Sequence, residues 1–381
     1  MFSYFDHNAT TPIGEKVLQS MLPYFKDDYG NASSRHILGT KAREAINHAR
    51  EQVAHLVEVQ ASQVIFVSGG TEANNAFIKG MGACLPPSQI ISSAMEHPCV
   101  KNPVQKLRRS GWTLANLPTL GSGLVDASSL DVFLSSKTGF ASVMLANNET
   151  GVIQPISKLS ESFRQHNVWF HTDAVQAVGK IPLTFAGLGV HAMSISAHKL
   201  GGPKGIGALV IDKRLPLEPL IDGGGHEFGL RSGTENVPAI VGFGTACEIA
   251  SEKLKSYQGV VSPIRDKIEV DLESLGAVIF GKLAPRLPNT LYCSFPGVHG
   301  ESMVIALNEE GFGVASGSAC SSASVNVSPT LLAMGVEESL ASCAVRISVG
   351  EESTLDDAER FHLSCRRILK KFNNLITFFI F

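Results

Sequence analysis

Two residues at the ends of strand-like runs carry chemistry when taken together. Asp173 closes Val168-Trp169-Phe170-His171-Thr172, and Lys199 follows Met193-Ser194-Ile195-Ser196-Ala197-His198. A buried carboxylate can hold a pyridine nitrogen protonated, and a lysine can form a Schiff base. Together they are the pair that pyridoxal phosphate chemistry needs. Cys320 adds a third function. It lies in Ala315-Ser316-Gly317-Ser318-Ala319-Cys320-Ser321-Ser322-Ala323-Ser324, a stretch without charge or large apolar side chains. Such a stretch reads as a mobile loop rather than a packed element. A cofactor that activates an amino acid, combined with a cysteine on a mobile arm, points to sulfur transfer.

Each of these residues also has a plainer reading. Most lysines are solvated surface cations. Lys199, however, follows an apolar run and precedes Leu200-Gly201-Gly202-Pro203-Lys204-Gly205-Ile206-Gly207, a glycine-dense turn that lets a ligand approach the backbone. A desolvated lysine there favours its neutral, nucleophilic form. The same glycines fit neither dinucleotide nor P-loop spacing. Asp173 could cap a helix or form half of an ion pair. Its apolar surroundings require a cation if it is to stay charged, which a protonated pyridine supplies. Gln176, three residues on, reaches the same ligand if the chain turns helical.

An anion site has its own signature. Ser68-Gly69-Gly70-Thr71 joins a strand-like run to a helical one, so Gly70 and Thr71 open a helix where a phosphate can sit, although one glycine pair is more often an ordinary tight turn. Ser196 and His198 add side-chain donors. His97, in Met95-Glu96-His97-Pro98, can stack on a flat ring and carry protons, or simply cap a helix. His171 with Asp173, and His226 with Glu227, lack a third ligand at useful spacing, so no metal site is expected. Arg346 lies inside the apolar run Val345–Val349. Its buried guanidinium needs an anion, either an internal acid or the carboxylate of an amino-acid substrate.

These residues need a scaffold. Strand-like runs recur at Val64–Val67, Gln89–Ser92, Ser142–Ala146, Val168–Thr172, Met193–Ser196 and Ala208–Ile211, with helical or loop segments between most of them. Thr40–Val59 has helical apolar spacing. The alternation predicts an α/β layer on a mostly parallel sheet. A long helical stretch runs from about Val237 to Gly259. Beyond it the pattern is mixed, with strands at Thr290–Phe295 and Ala344–Val349 and helices at Glu301–Asn308 and Leu355–Phe372. The expected division is a large body over 13–258 and a small one of 1–12 with 259–381.

The 381 residues are 44% hydrophobic, enough for more than one core. A net charge of −3 gives no broad basic footprint, so neither direct nucleic-acid binding nor an anionic membrane surface is expected. Seven cysteines at irregular spacing, with no C-x-x-C pair, argue against a disulfide framework and fit a cytoplasmic location. The N-terminus lacks signal-peptide character. The final apolar run, Ile376–Phe381, is too short to span a bilayer and is expected to pack on the protein or on a partner.

With these residues placed, the chain resembles the cysteine desulfurases of group I (NifS/IscS type), within the class V aminotransferase superfamily. The resemblance runs from Asp6-His7-Asn8-Ala9-Thr10-Thr11-Pro12 to about Gly350. It includes Gly30-Asn31-Ala32-Ser33-Ser34, Ser68-Gly69-Gly70-Thr71-Glu72, Glu96-His97, Asn147-Asn148-Glu149-Thr150-Gly151, His171-Thr172-Asp173, Ala197-His198-Lys199, Gly223-Gly224-Gly225-His226-Glu227, Arg231-Ser232-Gly233-Thr234 and Ser316–Cys320. The resemblance implies the fold type I of pyridoxal-phosphate transferases, with a seven-stranded, mostly parallel sheet in a large domain and a smaller α+β domain, acting as a homodimer. It implies that Lys199 carries the cofactor, Asp173 meets the pyridine nitrogen and His97 stacks on the ring. Gln176 and Asn148 would contact ring substituents and substrate. Gly70, Thr71, Ser196 and His198 would hold the phosphate, joined by Thr234 of the other subunit. Arg346 matches the substrate-carboxylate arginine and Cys320 the persulfide cysteine. Two features depart from the family pattern: the apolar C-terminal hexapeptide, and Val325-Asn326-Val327-Ser328 in place of the usual Leu-Glu-Pro-Ser.

The expected reaction is conversion of L-cysteine to L-alanine with a persulfide on Cys320. The sulfur then passes to a protein acceptor, either an iron–sulfur scaffold or a thiolation protein. Rival readings are another reaction of the same cofactor, such as selenocysteine lysis or transamination, and a non-catalytic sulfur-transfer subunit. Transamination has no use for a mobile thiol, and the intact set of Lys199, Asp173, His97 and Cys320 argues against a non-catalytic role.

Overall fold

The computed structural model describes residues 2–135, 137–316 and 327–379. Its central feature is a seven-stranded sheet. In spatial order the strands are Val64–Val67, Gly207–Ile211, Ala192–Ser196, Trp169–Asp173, Thr138–Ser142, Gln89–Ser93 and Thr113–Leu117. The last five pair in parallel, and Gly207–Ile211 runs antiparallel to both neighbours. Mixed but mostly parallel, this is the expected sheet.

Alternation along the strands builds a three-layer body. Val64 and Phe66 face a cluster with Ala42, Ile46, Ala49 and Val53 of the helix Ile37–Leu56 and with Ile240 and Phe243. Ile65 and Val67 face the opposite side, against Phe77, Ile78 and Met81 of the helix Gly70–Cys84 and Val100 and Val104 of Pro98–Arg108. The period of two along each strand and the three-to-four spacing on each helix meet at both faces. Because the sheet is covered on both sides, its strands are buried runs rather than half-polar ones.

One strand differs from its expected place. The ladder runs over Thr138–Ser142, not Ser142–Ala146. Val143–Ala146 are buried, and Val143 and Leu145 donate to the carbonyls of His171 and Asp173, but they lie beyond the regular pairing. A buried apolar run carries no periodicity that fixes where the ladder starts.

A second sheet contains Ala315–Ser316, Ala344–Ser348, Thr290–Ser294 and Val278–Ile279, all antiparallel. It packs with Phe361, Cys365 and Ile368 of the helix Leu355–Phe379 in a separate cluster that also holds Phe5. Ser3–Tyr4 pairs with Phe312–Gly313, which ties the N-terminus to this body. The helix Val237–Ser274 spans both clusters. It continues past Gly259 and through Pro263, with Phe243 and Cys247 in the first core and Val261, Ile264, Ile268 and Leu272 in the second.

Candidate active site

The carboxyl ends of the parallel strands point the same way, and crevices at such ends are where open α/β sheets bind ligands. Here they meet the second body around a cavity of about 300 Å³. Gly70, Thr71, His97, Asn148, Asp173, Gln176, Ser196, His198, Lys199 and Arg346 all line it. Asn8 lines it as well, so residues up to 338 positions apart in sequence, from Asn8 to Arg346, share one wall.

Asp173 ends its strand and is buried. Its Oδ2 accepts from Asn74 Nδ2 at 2.6 Å and its Oδ1 from the Val175 amide at 3.0 Å. The neighbouring His171 has both ring nitrogens occupied, by Ser142 Oγ and Ser194 Oγ, each at 2.9 Å, and stacks on Phe77. Burial lowers its pKa to about 3, so it is a neutral core histidine. Among the described residues no three His, Cys, Asp or Glu side chains are grouped to hold a metal ion.

Lys199 follows the strand Ala192–Ser196 by one tight turn, Ala197–Lys199. Its Nζ lies 2.5 Å from the carbonyl of Asn8 and 2.7 Å from that of Ala9. Asn8 is a buried hub. Its carbonyl also accepts from Gln176 Nε2 at 2.9 Å, its Oδ1 accepts from Lys180 Nζ and Asn289, and its Nδ2 donates to Asn148 O and Thr290 Oγ1. Lys180 is buried, and desolvation first, then Lys199 and Arg346, lower its pKa to about 7.

The anion end is built from backbone. Gly69 has φ 150°, a value side-chain-bearing residues rarely adopt, and the helix begins at Gly70. A Cβ on Gly70 would stand 2.8 Å from Val175 Cγ2, so the helix start can approach the cavity only as glycine. Ser196, His198 and Lys204 line the same recess. Burial, and then Lys199, Lys204 and Lys180, lower the His198 pKa to about 4. Glu72 lines the recess too, its carboxylate occupied by the Ser68 amide and by Arg231 at 2.9 Å.

His97 caps the helix Pro98–Arg108, accepting from the Cys99 amide at 3.2 Å. Burial lowers its pKa; Asp173 opposes this, and Lys199 and Lys101 add to it. Arg346 has an internal acid: its Nη2 pairs with Asp6 at 2.6 Å, and its Nη1 donates to Asn148 O at 3.1 Å. Its Nε is buried with no partner among the described residues. Of the two partners the sequence allows, the internal acid is present as Asp6, and the guanidinium also lines the cavity. Thr234 is exposed and does not line the cavity of its own chain. Cys320 and most of its loop lie outside the described residues, while Ala315–Ser316 at its start form a strand.

Sequence reasoning missed Asn8, Asn74, Cys99 and Lys180. Asn74 carried a usable signal, since it lies one helical turn after Thr71 and so projects to the same side. Asn8 stands inside the first motif of the resemblance, but nothing local assigns it a role, because its partners are up to 340 positions away.

Fold and cavity together define an α/β protein with an acid, a lysine and an anion cradle at the carboxyl edge of its sheet. The model of the family described as Aminotransferase class-V matches residues 3–361. The chain belongs to this family, and within it to the cysteine desulfurase group that its motifs resemble. "Cysteine desulfurase IscS" of Dictyoglomus turgidum is 40% identical over 376 residues, covering 98% of this chain and 95% of the relative. The solved "NIFS-LIKE PROTEIN" superposes with a TM-score of 0.91 at 36% identity, covering 99% of this chain and all of that one. "SspA in complex with cysteine" superposes with a TM-score of 0.81 at 32% identity, covering 92% of this chain and all of that one.

Proposed function

We propose that this protein is a pyridoxal 5′-phosphate-dependent cysteine desulfurase. It would convert L-cysteine to L-alanine, form a persulfide on Cys320 and pass the sulfur to a protein acceptor. The observation that carries the reading is one cavity with Lys199 and Asp173 in its wall and a glycine-opened helix start at its rim. The residues fit the cofactor. Asp173 is a buried carboxylate on the cavity that accepts from the neutral donors Asn74 Nδ2 and the Val175 amide, and Gly70 leaves the space that a Cβ would fill.

Lys199 would bind the cofactor covalently, Asp173 would face its pyridine nitrogen and His97 its ring. Thr71, Ser196, His198 and the Gly70 amide would take the phosphate, joined by Thr234 of a second subunit in a homodimer. Gln176 and Asn148 would reach ring substituents and substrate. When bound, the group supplies an electron sink for charge at the substrate α-carbon. Arg346 holds the substrate carboxylate. The Cys320 thiolate attacks the substrate sulfur, forming an S–S bond while the substrate Cβ–S bond breaks. The carbon frame then takes protons to leave as L-alanine. A thiolate is required because the thiol is a poor nucleophile. His97, partly buried and with its pKa lowered first by desolvation, is the proton carrier.

The large body, 13–258, supplies the cofactor end. The small body, 1–12 with 259–381, supplies Arg346 and Cys320. A cytoplasmic location belongs to the same proposal; among the described residues no helix is long and apolar enough to cross a membrane.

Borohydride reduction followed by peptide mass spectrometry tests the reading. The purified protein should be yellow and carry a pyridoxyl label on Lys199. A label on Lys204, or none, would remove the assignment.

A further inference from the structure

The proposed mechanism leaves one thiol in the cavity wall unused. Cys99 sits in the first turn of the helix Pro98–Arg108, and its Sγ lies 2.8 Å from His97 Nδ1. Asn74 Nδ2 donates to the same sulfur at 3.0 Å and to Asp173 Oδ2 at 2.6 Å. Asn74 is fully buried and lines the cavity, and its Oδ1 has no partner among the described residues.

The directions of these bonds follow from the groups. A carboxylate only accepts, so the amide must turn Nδ2 toward Asp173, and its second N–H goes to the sulfur. The thiol then gives its own proton to His97 Nδ1. The Cys99 backbone N–H is aimed at that nitrogen as well, at 3.2 Å. A ring nitrogen facing two donors is unprotonated, so the proton of neutral His97 sits on Nε2. Burial first, then Asp173, pushes the Cys99 thiol up to about 12, which keeps it an S–H donor at working pH.

We propose that Cys99 is a positioning residue: with Asn74 it links Asp173 to His97 and holds the His97 ring in the tautomer that carries its proton on Nε2. His97 then meets the cavity as a proton donor. The consequence for catalysis rests on the proposed placement of His97 beside the cofactor, whereas the tautomer itself does not. The charged groups facing the ring are Asp173 and Lys199 from the strand ends and Lys101 from its own helix. Glu96, its chain neighbour, is kept protonated by burial, with a pKa of about 8.

The test is nuclear magnetic resonance of the purified holoprotein labelled with ¹⁵N-histidine, with the His97 signal assigned by its loss in His97→Gln. The wild type should show Nε2–H and a bare Nδ1. Cys99→Ala removes a donor that favours the neutral ring. The ratio of protonated to neutral His97 at fixed pH should then rise roughly two- to tenfold, the worth of one hydrogen bond. Cys99→Ser, whose hydroxyl can donate from the same place, should restore it, and Cys99→Val replaces the alanine variant if that one does not fold. An Nδ1–H signal in the wild type, or the same titration in wild type and Cys99→Ala, would overturn the proposal. Ring-nitrogen signals report the tautomer whether or not L-cysteine is turned over, so this outcome and the desulfurase assignment fail separately.

Discussion

Asp173 and Arg346 are both buried charges on one cavity, yet they are held differently. The hydrogen bonds of Asp173 come from Asn74 and Val175, both within the body of the large sheet. Arg346 sits in the second sheet and is held by Asp6 near the N-terminus and by the Asn148 carbonyl, which lies just beyond a strand of the large sheet. The Asp173 end is therefore self-contained, and the Arg346 end exists only where separate segments meet. Asn8 makes that meeting specific, because it bonds Thr290 and Asn289 on one side and Gln176 and Lys180 on the other. On the proposed assignment, Asp173 meets the cofactor from within the large body, whereas Arg346 reaches the substrate carboxylate only where the segments meet.

The largest effect that follows is loss of sulfur release without loss of the cofactor. Cys320→Ala should bind pyridoxal phosphate and L-cysteine with the wild-type absorbance changes, while sulfide production falls to background. A colourless variant would break the comparison, because the cysteine loop would then help to hold the self-contained end. Full turnover would remove Cys320 from the mechanism.

Arg346→Lys is a sharper probe of the assembled end. The change keeps the charge but loses the planar fork. The variant should retain cofactor, and KM for L-cysteine should rise roughly ten- to a hundredfold, the scale of a charge-assisted hydrogen bond. If Tm falls and KM stays put, the bond to Asp6 is the whole role of Arg346.

The smallest effect concerns the junction itself. Lys180 has a folded-state pKa of about 7, below the 10.5 it has in the unfolded chain. Between those values the unfolded state binds more protons, so this group makes stability rise with pH across that window. Below about pH 7 both states are protonated and its contribution is flat. From pH 7 to 9 the wild type should gain about 2 kcal/mol relative to Lys180→Gln, measured by denaturant unfolding. Parallel curves for the two proteins would mean that Lys180 is charged in the fold.

What could be read from the chain beforehand follows from range. Asp173 and Lys199 announce themselves because each ends a buried strand, a local pattern. Gly70 and Thr71 do so because a strand, a glycine turn and a helix start are adjacent. The strand at Thr138–Ser142 was misplaced by its polar start and by the apolar run after it. The sequence pattern ends the helix that begins at Val237 near Gly259, with Pro263 beyond it, whereas the helix continues through both, its residues 251–260 mostly exposed. Asn8 and Lys180 are harder to read for a different reason: a buried polar residue is explained by its partners, and Asn8, which Lys180 bonds across 172 positions, has most of its own far away in the chain. Cys99 looked like any other cysteine until its neighbours were fixed.

The helix Val237–Ser274 carries one further consequence. Its two ends are embedded in different cores and its middle faces solvent, so that middle looks like a place where insertions are harmless. It is the opposite. Each added residue turns everything beyond it by about 100°. One extra residue near Gly259 would swing Val261, Ile264, Ile268 and Leu272 away from their cluster, or else drag the second sheet around with them. Substitution there is cheap, but phase is not: the exposed stretch works as a driveshaft whose length sets the angle at which Arg346 is presented to the cavity.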